Sequence, residues 1–84
     1  MITIQIMTKN ECSLCDIAKA VIEKVLPDYP AQMILTDIES DPDLFERYRE
    51  KIPVILINGE ESFIYKVRET ALRKMLGEIL EGSN

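Results

Sequence analysis

Histidine is absent from the chain, and cysteine occurs only twice, as Cys12 and Cys15. A structural zinc site usually wants four Cys or His ligands, so a metal could be held here only by adding carboxylates or a second chain. No apolar run approaches the ~20 residues that span a bilayer, and "MITIQIMTKN" has neither the basic stretch nor the cleavage site of a secretory leader. The expected address is therefore the cytoplasm, where thiols are kept reduced and paired cysteines tend to be catalytic, redox-sensing or metal-binding. Basic residues are scarce too: 10 Lys plus Arg stand against 15 Asp plus Glu, a formal net charge of −5. That balance argues against nucleic acid and against an anionic membrane as partners, since both call for a basic face. Repeats, linkers and low-complexity segments are also missing. The 84 residues leave room for one domain, residues 1–84, with a single core.

What is present has a globular composition, 46% hydrophobic and 30% charged, which allows a fold standing mainly on its own packing. Ile2, Ile4 and Ile6 alternate with Thr3, Gln5 and Met7, the pattern of a short strand. From Leu14 onward Ile17, Ala18, Val21, Ile22, Val25 and Leu26 recur at helical spacing until Pro27 and Pro30 end the helix. "MILTDI", Met33 to Ile38, reads as a buried strand. Asp41 then suits a helix N-cap, Pro42 the first helical position and Asp43 the positive end of the dipole. Leu44, Phe45 and Tyr48 supply that helix's inner face. Pro53 opens the strand "PVILI", and Asn58-Gly59 can adopt the positive φ values of a tight hairpin before "ESFIYKV". Leu72, Met75, Leu76, Ile79 and Leu80 form the apolar stripe of a closing helix, with Gly82 available as its cap. Phe45, Tyr48, Phe63 and Tyr65 are read as core or half-buried positions, and "KVRETALRK" as a solvated helix start from which Lys66 and Arg68 could lie beside a cleft. The order is β-α-β-α-β-β-α, with the first two strands parallel through a right-handed crossover and the last two forming an antiparallel pair.

The stretch "NECSLCDIAKAVIEKVL" places the cysteines one turn apart at the head of the first helix. A Cys at the N-cap and another at N3 share a face of the first turn, near enough for an intramolecular disulfide. Unpaired N–H groups of Leu14 and Cys15, with the positive end of the helix dipole, favour a thiolate at Cys12. Cys12 is then the candidate nucleophile, and Cys15, one turn inside, the candidate resolving thiol that releases a reduced partner. Two other readings of the pair stay open: two small buried hydrophobes, or part of a metal or cluster site completed in a dimer.

These residues resemble a glutaredoxin-type member of the thioredoxin superfamily over nearly the whole chain. The features that carry the resemblance are "TKNECSLC" after the first strand, "KIPVILINGEE" in the second half of the sheet, and the closing amphipathic helix. The texture is that of the small glutaredoxin-like proteins with a C-x-L-C-D motif, matched by Cys12, Leu14, Cys15 and Asp16. The resemblance implies an α/β thioredoxin-like fold with a four-stranded mixed sheet and helices on both faces. It also implies a thiol–disulfide oxidoreductase in which Cys12 attacks and Cys15 resolves. Carried over, Ile52-Pro53 becomes a cis bond, and Ile52 offers its N–H and C=O to an extended substrate.

Ser13 and Leu14 fill the middle of the motif, where dithiol glutaredoxins commonly have C-P-Y-C, and count with Lys9, Ile52 and Pro53 as substrate-binding candidates. Lys9 matches a lysine that can meet a glutathione carboxylate. Glutaredoxins also place Gly-Gly and an acidic residue after the last strand to grip the γ-glutamyl end of glutathione, and this chain has "IYKVRETA" there. No bound cofactor or metal is expected, and glutathione stands beside a thioredoxin-reductase-type enzyme as a candidate reductant. The expected substrate is a disulfide-containing protein or a small thiol compound, met by a monomer.

Overall fold

The computed structural model describes residues 1–82. Along the chain run β1 (Ile2–Thr8), α1 (Ser13–Val25), a 3₁₀ turn (Leu26–Asp28) and β2 (Ala31–Asp37). A second 3₁₀ turn (Ile38–Ser40), α2 (Pro42–Tyr48), β3 (Val54–Ile57), β4 (Glu60–Ile64) and α3 (Glu69–Gly82) follow. The strands form one mixed sheet in the order β2-β1-β3-β4. β1 and β2 are parallel, with Ile4 opposite Met33, while β3 runs antiparallel to both β1 and β4. This is the mixed-sheet α/β architecture expected from the order of elements.

Strand alternation divides the core between the two faces of the sheet. On one face Ile2, Ile4, Ile6, Ile55 and Ile57 pack with Ala18, Ile22 and Val25 of α1 and with Leu72 and Leu76 of α3. On the other, Met7, Val54 and Leu56 pack with Ile38 and with Tyr48 of α2. None of the described buried residues is polar or charged, so the fold is held by apolar burial.

Local signals set most of the boundaries. The Asp41 carboxylate accepts the Asp43 N–H at 2.9 Å ahead of Pro42, capping α2 as its sequence requires. Asn58 and Gly59, at φ 51° and 88°, form the hairpin turn. The Asn58 side chain also accepts the Thr3 N–H at 3.0 Å, fastening the turn to β1.

Four expectations need correction. β2 is not buried: Ile34 and Leu35 are exposed, because β2 lies at the sheet edge with β1 as its one neighbour. Phe45 faces outward and leaves Tyr48 as the buried ring of α2. The last strand stops at Ile64, because Tyr65 adopts φ 68° and turns the chain out of the ladder. Gly82 is the last residue of α3 and has no left-handed φ, so it is part of the helix rather than a cap after it.

A charged cluster joins α3 to the end of α1. Lys24 lies 3.1 Å from Glu69, while Arg73 reaches Glu69 at 3.0 Å and Asp28 at 2.8 Å. Hydrogen bonds from Lys24, then from Arg73, hold the Glu69 carboxyl below its ordinary range. A carboxylate with a depressed folded pKa stabilises the protein above its unfolded pKa, and this contribution is lost as pH falls through the folded value. Glu69→Gln is therefore expected to flatten the fall in Tm between about pH 5 and about pH 3, and an unchanged slope would contradict it. In the core, Ile22→Ala should cost about 2–5 kcal/mol in urea unfolding, a large share of what a domain this small has in reserve.

Candidate active site

β1 ends at Thr8, and four residues carry the chain onto α1. Glu11, at φ 54°, makes the reversal, and the Asn10 N–H reaches the Glu39 carboxylate at 3.4 Å. Cys12 is extended, at φ −117° and ψ 100°, and caps α1: its Sγ accepts the Cys15 N–H at 3.2 Å. Its carbonyl accepts the Asp16 N–H at 3.1 Å, the first bond of the helix. A group that takes a donor in this way is stabilised further when it carries negative charge.

The sulfurs of Cys12 and Cys15 are joined as a disulfide, with the Cα atoms 5.2 Å apart. Their environments differ. Cys15 is only 4% exposed and belongs to the apolar cluster of Met7, Ile38, Tyr48, Ile52 and Val54, whereas Cys12 is half-buried at its rim. α1 thus packs most of its length on one face of the sheet while its first turn hangs over the end of β1 toward the other.

β3 brings the second part of the site alongside. Its antiparallel register sets Val54 opposite Met7, so the residues before Val54 lie where β1 gives way to the cysteine loop. The Ile52-Pro53 peptide bond is cis. Lys51 donates its N–H to the Tyr48 carbonyl at 2.8 Å, whereas neither the N–H nor the C=O of Ile52 bonds to another described residue.

Tyr65 closes this corner. Its N–H donates to the Pro53 carbonyl at 2.8 Å and its hydroxyl to the Glu50 carbonyl at 2.8 Å. The Lys66 N–H bonds back to the Ile64 carbonyl at 2.8 Å, so Tyr65, at φ 68°, is the centre of a γ-turn. A non-glycine residue in that region costs on the order of 1–3 kcal/mol and persists only where its surroundings hold it. Beside it a groove of about 440 Å³ is lined by Leu14, Ile17 and Ala18 of α1 and by Tyr65, Lys66 and Val67.

Residues 3–77 match the model of the glutaredoxin-like domain (DUF836). The chain belongs to this glutaredoxin-like family. Its fold is thioredoxin-like. A mutant thioredoxin from Halobacterium salinarum NRC-1 superposes with a TM-score of 0.69 over 92% of this chain and 73% of its own, at 17% identity. Oxidised mitochondrial thioredoxin 3 from Saccharomyces cerevisiae gives 0.65 over 92% and 77%, also at 17% identity. The germline-specific thioredoxin Deadhead from Drosophila melanogaster gives 0.61 over 93% and 80%, at 18% identity.

In this glutaredoxin-like chain Cys12, Cys15, Ser13 and Leu14 stand together at the head of α1. Ile52 packs in the same cluster as Cys15, with Pro53 next in the chain. Lys9 is exposed just beyond β1 and does not line the groove. Of the two cations that the sequence could set beside a cleft, Lys66 lines the groove, while Arg68 is exposed outside it. Neither Ile17 nor Tyr65 is among the site residues the sequence points to: Ile17 belongs to the apolar periodicity of α1 yet is 60% exposed, and Tyr65 is 50% exposed. The surplus of apolar positions in α1, wider than one buried stripe, was the available signal for Ile17; nothing local announces Tyr65. Among the described residues no group of three or more His, Cys, Asp or Glu is placed to hold a metal ion, and no helix is long and apolar enough to cross a membrane.

The contrast between the two sulfurs predicts unequal reactivity. After reduction, limiting iodoacetamide should label Cys12 at least about tenfold faster than Cys15, because access and the N–H donor both favour Cys12. Peptide mapping by mass spectrometry reads the ratio, and equal labelling would contradict the assignment.

Proposed function

We propose that this glutaredoxin-like protein is a thiol–disulfide oxidoreductase with a dithiol mechanism. The observation that supports it best is the Cys12–Cys15 disulfide at the leading end of α1, with Cys12 half-buried at the rim of the apolar cluster and Cys15 sheltered within it. In the reduced protein the Cys12 thiolate attacks one sulfur of a substrate disulfide. A bond forms between Cys12 and that sulfur, the substrate S–S bond breaks, and the other substrate sulfur leaves as a thiolate that takes a proton from water. Cys15 then loses its proton and attacks the Cys12 sulfur, restoring the intramolecular disulfide and expelling the second substrate thiolate. The substrate gains two electrons and the cysteine pair gives them up.

Ile52 supports the positioning step. Its unbonded N–H and C=O can pair with an extended substrate segment as a strand does, holding the scissile disulfide near Cys12. Ser13 and Leu14 border the same approach, and Lys9 offers a cation for a carboxylate at its edge. We place the work in the cytoplasm, on a disulfide-containing protein or a small disulfide. Two molecules of glutathione or a thioredoxin-reductase-type enzyme return the pair to the dithiol.

Turnover of insulin disulfides with dithiothreitol as reductant tests the reading. Cys12→Ser should reduce turnover by about 100-fold or more, as expected when the attacking group of a covalent mechanism is removed. Cys15→Ser, reduced, freed of dithiothreitol and then mixed with insulin, should instead accumulate a covalent adduct with the substrate, visible as added mass. Full turnover without Cys12 would overturn the assignment.

A further inference from the structure

We propose that Tyr65 is the specificity-determining residue of this site, and that with Leu14 and Ile17 it selects an extended protein segment bearing an aliphatic side chain beside its cysteine, in preference to glutathione disulfide. The inference rests on the oxidoreductase reading above and names the substrate class of that same site.

Tyr65 is held in place to an unusual degree. Its backbone N–H is fixed to Pro53 and its hydroxyl to Glu50, so both ends of residues 50–53 hang on this one residue. Its φ of 68° is one that glycine would adopt without penalty. A glycine would supply the turn and the backbone bond but neither the hydroxyl tie nor the ring. What the tyrosine adds is a rigid, half-exposed aromatic surface standing across the groove from α1. Strained residues that persist at a site point to a role for the side chain they carry.

The groove's chemistry selects between occupants. Leu14, Ile17, Ala18, Val67 and Tyr65 line it, its surface is mostly apolar, and Lys66 is its one charged residue. Glutathione brings two carboxylates and an ammonium to each thiol, and this lining offers a single cation and no carboxylate. An aliphatic side chain leaves water for a matching surface. The same segment, running extended, meets the unbonded N–H and C=O of Ile52.

The test follows one attack step in the full chain carrying Cys15→Ser, so that the mixed disulfide persists. The probes are two short peptides, identical except for Leu or Asp beside their cysteine, and glutathione, each capped as a mixed disulfide with thionitrobenzoate. Cys12 attacks the probe's cysteine sulfur, the new S–S bond forms, and coloured thionitrobenzoate leaves and gives the rate. With Tyr65 present, the Leu peptide should react about tenfold faster than the glutathione probe, the scale of discrimination that one aliphatic contact supplies. Tyr65→Gly should bring that ratio close to one. Ile17→Glu, on an exposed face of α1, places a carboxylate in the groove without touching the core and should slow the Leu peptide by a similar factor while leaving the Asp peptide slow. A preference for Leu that survives both substitutions, or no preference in the parent chain, overturns this inference and leaves the oxidoreductase reading standing. Failure of Cys12 to attack any probe overturns both.

Discussion

The site depends on one contact, the Cys15 N–H directed at the sulfur of Cys12 across the first turn of α1. A helix must leave its first N–H groups without partners inside itself, and here one of them is given to a sulfur atom. The rest of the fold brings this about. The parallel β1–α1–β2 crossover sets the start of α1 above the end of β1, and the φ of 54° at Glu11 turns the chain sharply enough to leave Cys12 at the cap. The antiparallel β3 then delivers Ile52 and Pro53 to the same end of the sheet. Groups far apart in sequence meet because parallel and antiparallel neighbours share the central strand β1.

The purely apolar interior gives that arrangement its stiffness. With no charged side chain buried among the described residues, the carboxylates, ammonium groups and guanidinium groups stay at the surface, where solvent screens them. Cys15 is the place where the interior touches the chemistry: it packs with Met7, Ile38, Tyr48 and Val54 while bonded to a half-exposed neighbour. The sheltered sulfur is positioned by the core and the other by the surface loop. This division of labour suits a pair in which one member must meet partners and the other must wait.

Much of this was legible in the sequence because it is written in short-range signals. Asp41-Pro42 announces α2, Asn58-Gly59 announces the hairpin, and C-x-x-C after an alternating strand announces the helix start with its paired thiols. Each depends on local backbone preference, and each stands where it was expected. The cis bond before Pro53 came from family likeness, since nothing in "KIPV" demands it. What could not be read depends on neighbours distant in sequence. "MILTDI" has the composition of a central strand and occupies an edge, because strand order is a property of the whole sheet. Ile17 fits a buried helical stripe and faces a groove, because α3 and the β4–α3 connection cover only part of α1. Tyr65 looks like one more strand aromatic until the left-handed turn and its two hydrogen bonds are seen.

β2 carries a consequence of its own. It pairs on one side only, and its outer N–H and C=O groups depend on water. The pleat sends the neighbouring Ile34 and Leu35 to opposite faces, with Gln32 and Thr36 completing one of them. Gln32 reaches back to Thr3 at 3.3 Å, and Gln5 donates to Thr36 at 2.8 Å, so polar side chains lace that face across the two strands. On the opposite face Ala31 and Met33 are partly buried against the core, and Leu35 is the apolar side chain left exposed. An edge laced by polar side chains on one face is a poorer template for a second strand than a flat apolar one.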